Sequence, residues 1–319
     1  MKLLVTCPPM LGTKDQFIPK LEACGVEVFC PDVVQTLSVN ELLELVPKYD
    51  GWIIGDDPAT KEVFQAGVNG NLKAAVKWGI GVDNVDLSAC SDLGIPIKNT
   101  PNMFGAEVAD VAMGYVIGLA RETFFIDRMV RKGLWPKNRG ISLANKTLGL
   151  IGYGDIGRNT AVRALAAAMS VHVYDPGCSE IDDTPNLTLA AWPNKLDECD
   201  FLVMTCSLNE ANRHMLNAAT LAQCKPGVRI VNVARGPLID ESALLNALAA
   251  GQVHSAALDV YEEEPLEKHS PLRDYPLCIL GSHNSSNSTD AVLRTNNIAI
   301  SKLLKMLGVD GGSLFDSEH

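Results

Sequence analysis

Three short apolar runs rich in β-branched residues are each followed at once by a residue able to do chemistry. Arg229–Val233 leads into Ala234-Arg235-Gly236, Ser255–Val260 into Tyr261-Glu262-Glu263-Glu264-Pro265, and Leu277–Leu280 into Gly281-Ser282-His283. If the runs are parallel strands, these residues leave the carboxyl edge of one sheet, where open α/β sheets bind their ligands. An arginine, a carboxylate and a histidine on one rim form the set that oxidation of a 2-hydroxy acid requires. The arginine grips a substrate carboxylate in a bidentate fork and polarises a carbonyl. The histidine exchanges the hydroxyl proton. A carboxylate beside it orients the ring and favours the imidazolium. Each residue also has a plainer role. Only one of Glu262–Glu264 need act, the others suiting a solvated loop, and Arg235 alone could cap a strand end. Five other histidines compete: His172 and His254 in or just before strands, His214 in an Asn/Arg-rich segment, His269 in a polar loop and His319 at the terminus.

A second constellation precedes this rim. Thr147–Ile151 reads as a strand, Gly152-Tyr153-Gly154-Asp155-Ile156-Gly157 follows, Arg158–Met169 is an alanine-rich helix, and Val171–Tyr174 is a strand ending at Asp175. A bare GxGxxG is weak evidence; its place between strand and helix is what gives it meaning. Gly152 makes the tight turn, Gly154 admits the pyrophosphate to the backbone, and Gly157 lets helix and strand pack closely. The helix N-terminus then offers unsatisfied N–H groups to phosphate. Asp175 lies 23 positions after Gly152, close to the ~20 expected of a ribose-binding acid. A carboxylate there accepts from the 2′-hydroxyl and repels a 2′-phosphate, which selects NAD over NADP. The plainer reading of Asp175 is a turn residue before Pro176.

The elements that must position these residues fall into two sets. Strand-like runs at Leu3–Thr6, Val26–Cys30, Gly51–Ile54, Leu72–Lys77 and Ile95–Asn99 alternate with helical segments such as Lys14–Cys24 and Asn40–Val46. The second set runs from Thr147 through Ser170–Tyr174 and Phe201–Thr205 to a sixth strand closing near Leu280. Apolar strands alternating with helices imply parallel sheets covered on both faces. At about 150 residues per domain, 319 residues suit two domains. Gly105–Arg121 reads as one long helix at the join, and Asp290–Leu307 as a last helix for which the second sheet has no place. That helix is expected to return to the first domain, leaving it discontinuous, with the tail Gly308–His319 frayed.

Composition excludes several classes. A net charge of −11 argues against a nucleic-acid or anionic-membrane surface, both of which call for a basic face. No run approaches the ~20 apolar residues of a membrane helix, and the opening Met1–Thr6 is too short for a signal peptide. Nine cysteines without a CxxC pair suggest neither a disulfide framework nor a metal site. The expected setting is cytoplasmic.

These residues together carry a resemblance. Thr147–Gly157, Lys225–Asp240 (KPGVRIVNVARGPLID), Ala256–Pro265 (AALDVYEEEP), Gly79–Asp86 (GIGVDNVD) and Ile95–Asn102 (IPIKNTPN) resemble the D-isomer-specific 2-hydroxyacid dehydrogenases, above all their phosphoglycerate-dehydrogenase-like branch. The resemblance implies a Rossmann NAD-binding domain (100–284) inserted into a flavodoxin-like substrate domain (1–99 and 285–319), both doubly wound α/β folds, in a homodimer built on the NAD-binding domain. It implies catalytic roles for Arg235, Glu264 and His283, with Arg235 touching both cofactor and substrate. Asp155 and Ile156 would give N–H groups to the pyrophosphate, Asp259 would bind the carboxamide, and Cys206 and Val233 would line the cofactor cleft. Backbone around Gly79-Ile80-Gly81 would hold the substrate carboxylate.

Two stretches depart from the family pattern. Ser285-Ser286 stand where a glycine usually follows the catalytic histidine. Gly55-Asp56-Asp57-Pro58 stand where phosphoglycerate dehydrogenases carry an arginine for the substrate phosphate. Asp57 in that place would repel a phosphate, with Lys77 the cation that would offset it. The implied activity is hydride transfer between NAD and a D-2-hydroxy acid or its 2-keto acid. The rivals are 3-phosphoglycerate dehydrogenase and a corepressor-like sensor of NADH.

Overall fold

The computed structural model describes residues 1–181, 183–311 and 315. The chain forms two compact units, Met1–Met103 with Asn287–His319, and Phe104–Ser286.

The first unit holds a five-stranded parallel sheet of β1 (Lys2–Val5), β2 (Glu27–Phe29), β3 (Gly51–Ile54), β4 (Ala74–Lys77) and β5 (Ile97–Asn99), in the order β2-β1-β3-β4-β5. Crossovers carry α1 (Pro8–Leu11), α2 (Lys14–Ala23), α3 (Val39–Leu45), α4 (Lys61–Asn69) and α5 (Leu87–Asp92). β3 and β4 are buried at every position, which is why they read as continuous rather than alternating apolar runs, broken only by the buried Lys77 that ends β4. Helix starts are written locally. Ser38 and Glu41 form a reciprocal capping box on α3, and Thr60 caps α4, satisfying N–H groups that a helix cannot pair internally. The strand order reverses between β1 and β3, so this sheet has its ligand-binding switch point there.

The second unit holds seven parallel strands: β6 (Thr147–Ile151), β7 (Ser170–Tyr174), β8 (Leu187–Leu189), β9 (Phe201–Met204), β10 (Val228–Asn232), β11 (Val253–Leu258) and β12 (Ile279–Leu280), ordered β12-β11-β10-β9-β6-β7-β8. Its helices are α6 (Gly105–Arg121), α7 (Thr123–Arg131), α8 (Asp155–Ala166), α9 (Ala218–Gln223) and α10 (Glu241–Ala249). α6 packs on β10, β11 and α8. The switch point lies between β6 and β9. The sheet has seven strands where six were expected; β8, a three-residue edge strand with two exposed members, supplies no apolar run to read.

The last helix, α11 (Thr289–Met306), packs against β3 and β4 of the first unit. Of the tail, 312–314 and 316–319 lie outside the described residues. Phe315 is not frayed: its ring is buried, with the Lys20 ammonium 5.9 Å from its centroid. Among the described residues no helix is long and apolar enough to cross a membrane.

Candidate active site

At the second unit's switch point the three glycines answer to three different constraints. Gly152 has φ +99°, and a Cβ there would stand 2.6 Å from the Cys206 amide nitrogen, on the loop after β9. A Cβ on Gly157 would stand 2.1 Å from the Gly152 carbonyl oxygen. A side chain at Gly152 would push the turn off the loop after β9, and one at Gly157 would push helix and turn apart. Gly154 faces open space within 4 Å, as a surface that a phosphate approaches must. It caps α8, so the first amides of that helix, including those of Asp155 and Ile156, point outward from its N-terminus, where helix dipole and unsatisfied donors favour an anion.

Asp175 ends β7. Its Oδ2 accepts from the Tyr153 amide at 2.6 Å and its Oδ1 from the Gly177 amide at 2.8 Å. The turn contact to Gly177 is the plainer role foreseen for Asp175; the Tyr153 contact places the carboxylate on the glycine turn as well. An ionised carboxylate accepts at about four lone-pair sites, so two bonds leave capacity for a ribose hydroxyl. Cys206 is half-buried, and burial raises its thiol to about 11, so it lines the turn as a neutral group. Val233 is buried at the end of β10.

The rim past β10, β11 and β12 is braced by residues with no evident chemistry of their own. Asn232, fully buried, accepts from the Ala234 amide (3.0 Å) and donates to the Arg235 carbonyl (2.9 Å), setting the bend that presents Arg235. A Cβ on Gly236 would overlap the Tyr261 backbone at 1.8 Å, so the arginine loop and the acidic loop are in direct contact. Glu264 Oε1 accepts from the Tyr261 amide at 3.0 Å, and Glu264 Oε2 lies 2.6 Å from His283 Nδ1. Of the three consecutive glutamates, it is Glu264 that meets the histidine. Glu262 pairs instead with His214 at 2.8 Å, and Glu263 is exposed.

The other histidines have their own surroundings. His172 is held by Thr188 and Glu198. His254 contacts Ser255, and burial lowers its pKa. His269 is exposed, and His319 lies outside the described residues. His283 has φ +53°, a left-handed conformation uncommon outside glycine and associated with functional sites. Its amide donates to the Asp259 carbonyl at 2.6 Å. Asp259 is itself buried. Its Oδ2 accepts from both the Ser285 amide (2.8 Å) and the Ser285 hydroxyl (2.5 Å), while the Tyr115 hydroxyl lies 3.5 Å from Oδ1. Ser285, where the family pattern has glycine, therefore clamps the very acid expected to meet the carboxamide. Tyr261 completes the frame, its hydroxyl within 3.0 Å of the Leu258 carbonyl and 2.8 Å of the Gly281 carbonyl.

Asn232, Tyr115 and Tyr261 were not singled out from the sequence. The one available signal was Asn232, a polar residue closing an otherwise apolar strand. Among the described residues, no group of three or more His, Cys, Asp or Glu is placed to hold a metal ion.

In the first unit, the loop after β4 is pinned by Thr100. Gly79, at φ +108°, donates its amide to Thr100 Oγ1 at 2.7 Å and accepts from the Thr100 amide at 3.0 Å. Of the amides around Gly79-Ile80-Gly81 expected to hold a carboxylate, that of Gly79 is engaged by Thr100, which follows β5. The Ile80 and Gly81 amides remain, with no hydrogen-bond partner among the described residues. Lys77 is buried beneath the loop, donating to the Trp78 carbonyl (2.9 Å) and to Asp56 Oδ1 (3.2 Å).

The role expected of Asp57 is also corrected. It is fully buried, accepting from the Thr6 hydroxyl, the Leu37 amide (2.9 Å) and the Gly55 amide (3.2 Å). It is a bracket inside the fold; the partly exposed acid of this loop is Asp56.

A parallel sheet with a glycine turn, a helix N-terminus and a ribose-ready acid at its switch point, and an Arg–Glu–His rim beside it, defines an NAD-binding oxidoreductase. Residues 113–285 match the model of the D-isomer specific 2-hydroxyacid dehydrogenase NAD binding domain. The chain is 35% identical over 278 residues to a hydroxypyruvate reductase of Thermotoga maritima, covering 86% of this chain and 90% of that one. It is 34% identical over 312 residues to a D-3-phosphoglycerate dehydrogenase of Methanocaldococcus jannaschii, covering 96% of this chain but 57% of the longer relative. A solved glyoxylate reductase from Paecilomyes thermophila superimposes with a TM-score of 0.81 at 26% identity, covering 99% of this chain and 96% of that one. The chain belongs to the D-isomer-specific 2-hydroxyacid dehydrogenase family. It is an NAD-dependent oxidoreductase of the CH–OH group, acting on D-2-hydroxy acids or the matching 2-keto acids.

Proposed function

We propose that Arg235, Glu264 and His283 carry the reaction in the second unit, and that the loop after β4 in the first unit seats the substrate carboxylate. The observation that carries this reading is the 2.6 Å contact between His283 Nδ1 and Glu264 Oε2. With Nδ1 tied to a carboxylate, Nε2 is the ring nitrogen that exchanges the substrate's hydroxyl proton. Glu264, held through its other oxygen by Tyr261, fixes the ring and favours the imidazolium. Arg235 grips the substrate carboxylate and polarises the C2 carbonyl. In the first unit, the Ile80 and Gly81 amides are the donors offered to a carboxylate, Gly79 shapes their turn, and Lys77 supplies a positive charge beside them. NAD, when bound, supplies the nicotinamide C4 that exchanges a hydride with the substrate C2. The Asp155 and Ile156 amides would hold its pyrophosphate at the Gly152–Gly157 turn, Asp175 its ribose and Asp259 its carboxamide, with Cys206, Val233 and Arg235 along its length.

The test is His283→Ala with NADH and a panel of 2-keto acids. Turnover is expected to fall ~10²–10⁴-fold, the usual size of a positioned acid–base group, while NADH affinity holds. Turnover near the wild-type level would remove His283 from proton transfer. Two rivals are separable in the same assay. Turnover of the phosphorylated acid far above its unphosphorylated counterpart would favour 3-phosphoglycerate dehydrogenase, the activity of the Methanocaldococcus jannaschii relative. Tight NADH binding with no turnover of any 2-keto acid would favour a sensor of the corepressor kind.

A homodimer built on the second unit is supported by the apolar side chains exposed on α7 and the segment after it: Phe124, Val130, Leu134 and Trp135. Nine unpaired thiols suit a reducing, cytoplasmic setting.

A further inference from the structure

The first unit carries its own switch point, between β1 and β3, and the loop that leaves β3 there is Gly55-Asp56-Asp57. Asp57 is turned inward as a bracket. Asp56 keeps about a third of its side chain exposed, at 35%, while its partner Lys77 is buried at 4%. Asp56 Oδ1 accepts from Lys77 Nζ at 3.2 Å, and Oδ2 accepts from Gln35 Nε2 at 3.3 Å. The same Lys77 Nζ stands 3.9 Å from where a Cβ on Gly79 would lie, so the ion pair adjoins the loop that offers the Ile80 and Gly81 amides. The acid paired to Lys77 beside that loop is thus a third exposed, with its charge balanced by a buried cation.

We propose that Asp56 is a specificity residue that accepts a hydrogen bond from a hydroxyl on the substrate carbon next to the keto group. This rests on the reading of the loop after β4 as the carboxylate seat. The chemistry selects three ways. A 3-hydroxyl donates to Asp56, which as an ionised carboxylate can only accept. A methyl group at the same place covers the acid without replacing the water it displaces, at the cost of an unmet polar group. A phosphate brings two negative charges to an ion pair whose acid is the more exposed member and whose cation is buried.

The experiment measures kcat/KM with NADH for hydroxypyruvate, pyruvate and 3-phosphohydroxypyruvate, on the wild-type enzyme and on Asp56→Asn and Asp56→Ala. The readout is the ratio between substrates on one preparation, which a partly unfolded variant does not disturb. The wild-type enzyme is expected to prefer hydroxypyruvate to each of the others by roughly 10–100-fold, the range of one discriminating contact in a partly solvated site. Asp56→Ala is expected to bring the hydroxypyruvate-to-pyruvate ratio near one, and Asp56→Asn, which keeps one acceptor oxygen, to leave it in between. A wild-type enzyme that turns over pyruvate as well as hydroxypyruvate, or a ratio unmoved in Asp56→Ala, overturns the proposal while leaving the dehydrogenase reading standing. Failure to turn over any 2-keto acid overturns both.

Discussion

The two units are both parallel α/β sheets but differ in strand order, and their switch points are built differently. In the second, between β6 and β9, the turn is built largely from backbone: three glycines, the first amides of α8 and one acid that reaches back to the turn. In the first, side chains hold the loops after β3 and β4: Asp57 sealed inside, Asp56 balanced on Lys77, and Thr100 closing the neighbouring loop. A dinucleotide has an invariant pyrophosphate, and backbone donors at a helix N-terminus suit any such group. A small acid is distinguished by the substituent on one carbon, and only side chains can discriminate that. A shared fold therefore sets where each ligand sits, not what it is.

The largest effect should come from breaking the backbone site. Gly157→Ala places a Cβ 2.1 Å from the Gly152 carbonyl oxygen, a backbone contact that cannot swing aside. NADH affinity, followed by nicotinamide fluorescence, is expected to fall by ~10²-fold or more as the helix N-terminus leaves the turn. Retained affinity would show that the turn does not set the cofactor's place.

Next comes the side-chain bracket. Burial pushes Asp57 above the ordinary aspartate value of 3.8, outweighing the hydrogen bonds that favour its charged form. The folded state then binds this proton more tightly than the unfolded state. Its contribution to stability is full below the unfolded value and is lost as pH rises through the folded one. Asp57→Asn is expected to cost about 1–3 kcal/mol, through one mismatched donor among buried partners, and to remove that pH slope. Urea melts from about pH 4 upward check both; an unchanged slope would mean that Asp57 is not the buried titrating group. Cofactor affinity is expected to be untouched, because the bracket belongs to the other unit.

The smallest effect concerns Ser285. Ser285→Gly removes the hydroxyl bond to Asp259 but keeps the amide bond. A loss of about 1 kcal/mol of ordering, the usual worth of one hydrogen bond, would raise the KM for NADH roughly fivefold at little change in kcat. A lower KM would mean that the clamp holds Asp259 away from the carboxamide.

Much of this was legible in the sequence, for physical reasons that differ by place. Strands such as Gly51–Ile54 and Thr147–Ile151 are buried on both faces and so announce themselves as apolar runs. The glycine turn was legible because backbone sites need particular residues at fixed spacing. The rim residues could be found because each follows a strand directly. Choosing Glu264 from three consecutive glutamates took the family resemblance; its bond to His283 depends on how two loops 19 residues apart are brought together. β8 was hidden by its shortness and exposure. Asp57 was misread because a sequence shows that an acid is present but not which way it faces. Its direction is set by Thr6 and Leu37, partners 51 and 20 residues away.

The central claim is that Glu264 acts on the reaction through His283, and Glu264→Gln tests it most directly. Glutamine keeps the shape of the side chain and can still meet the ring, but it brings no charge to stabilise the imidazolium. Turnover with NADH and a 2-keto acid should fall by about 10–10³-fold, a substantial part of what a positioned acid–base group contributes, with NADH affinity unchanged. Turnover within about twofold of wild type, a difference well under 1 kcal/mol in the barrier, would contradict the account.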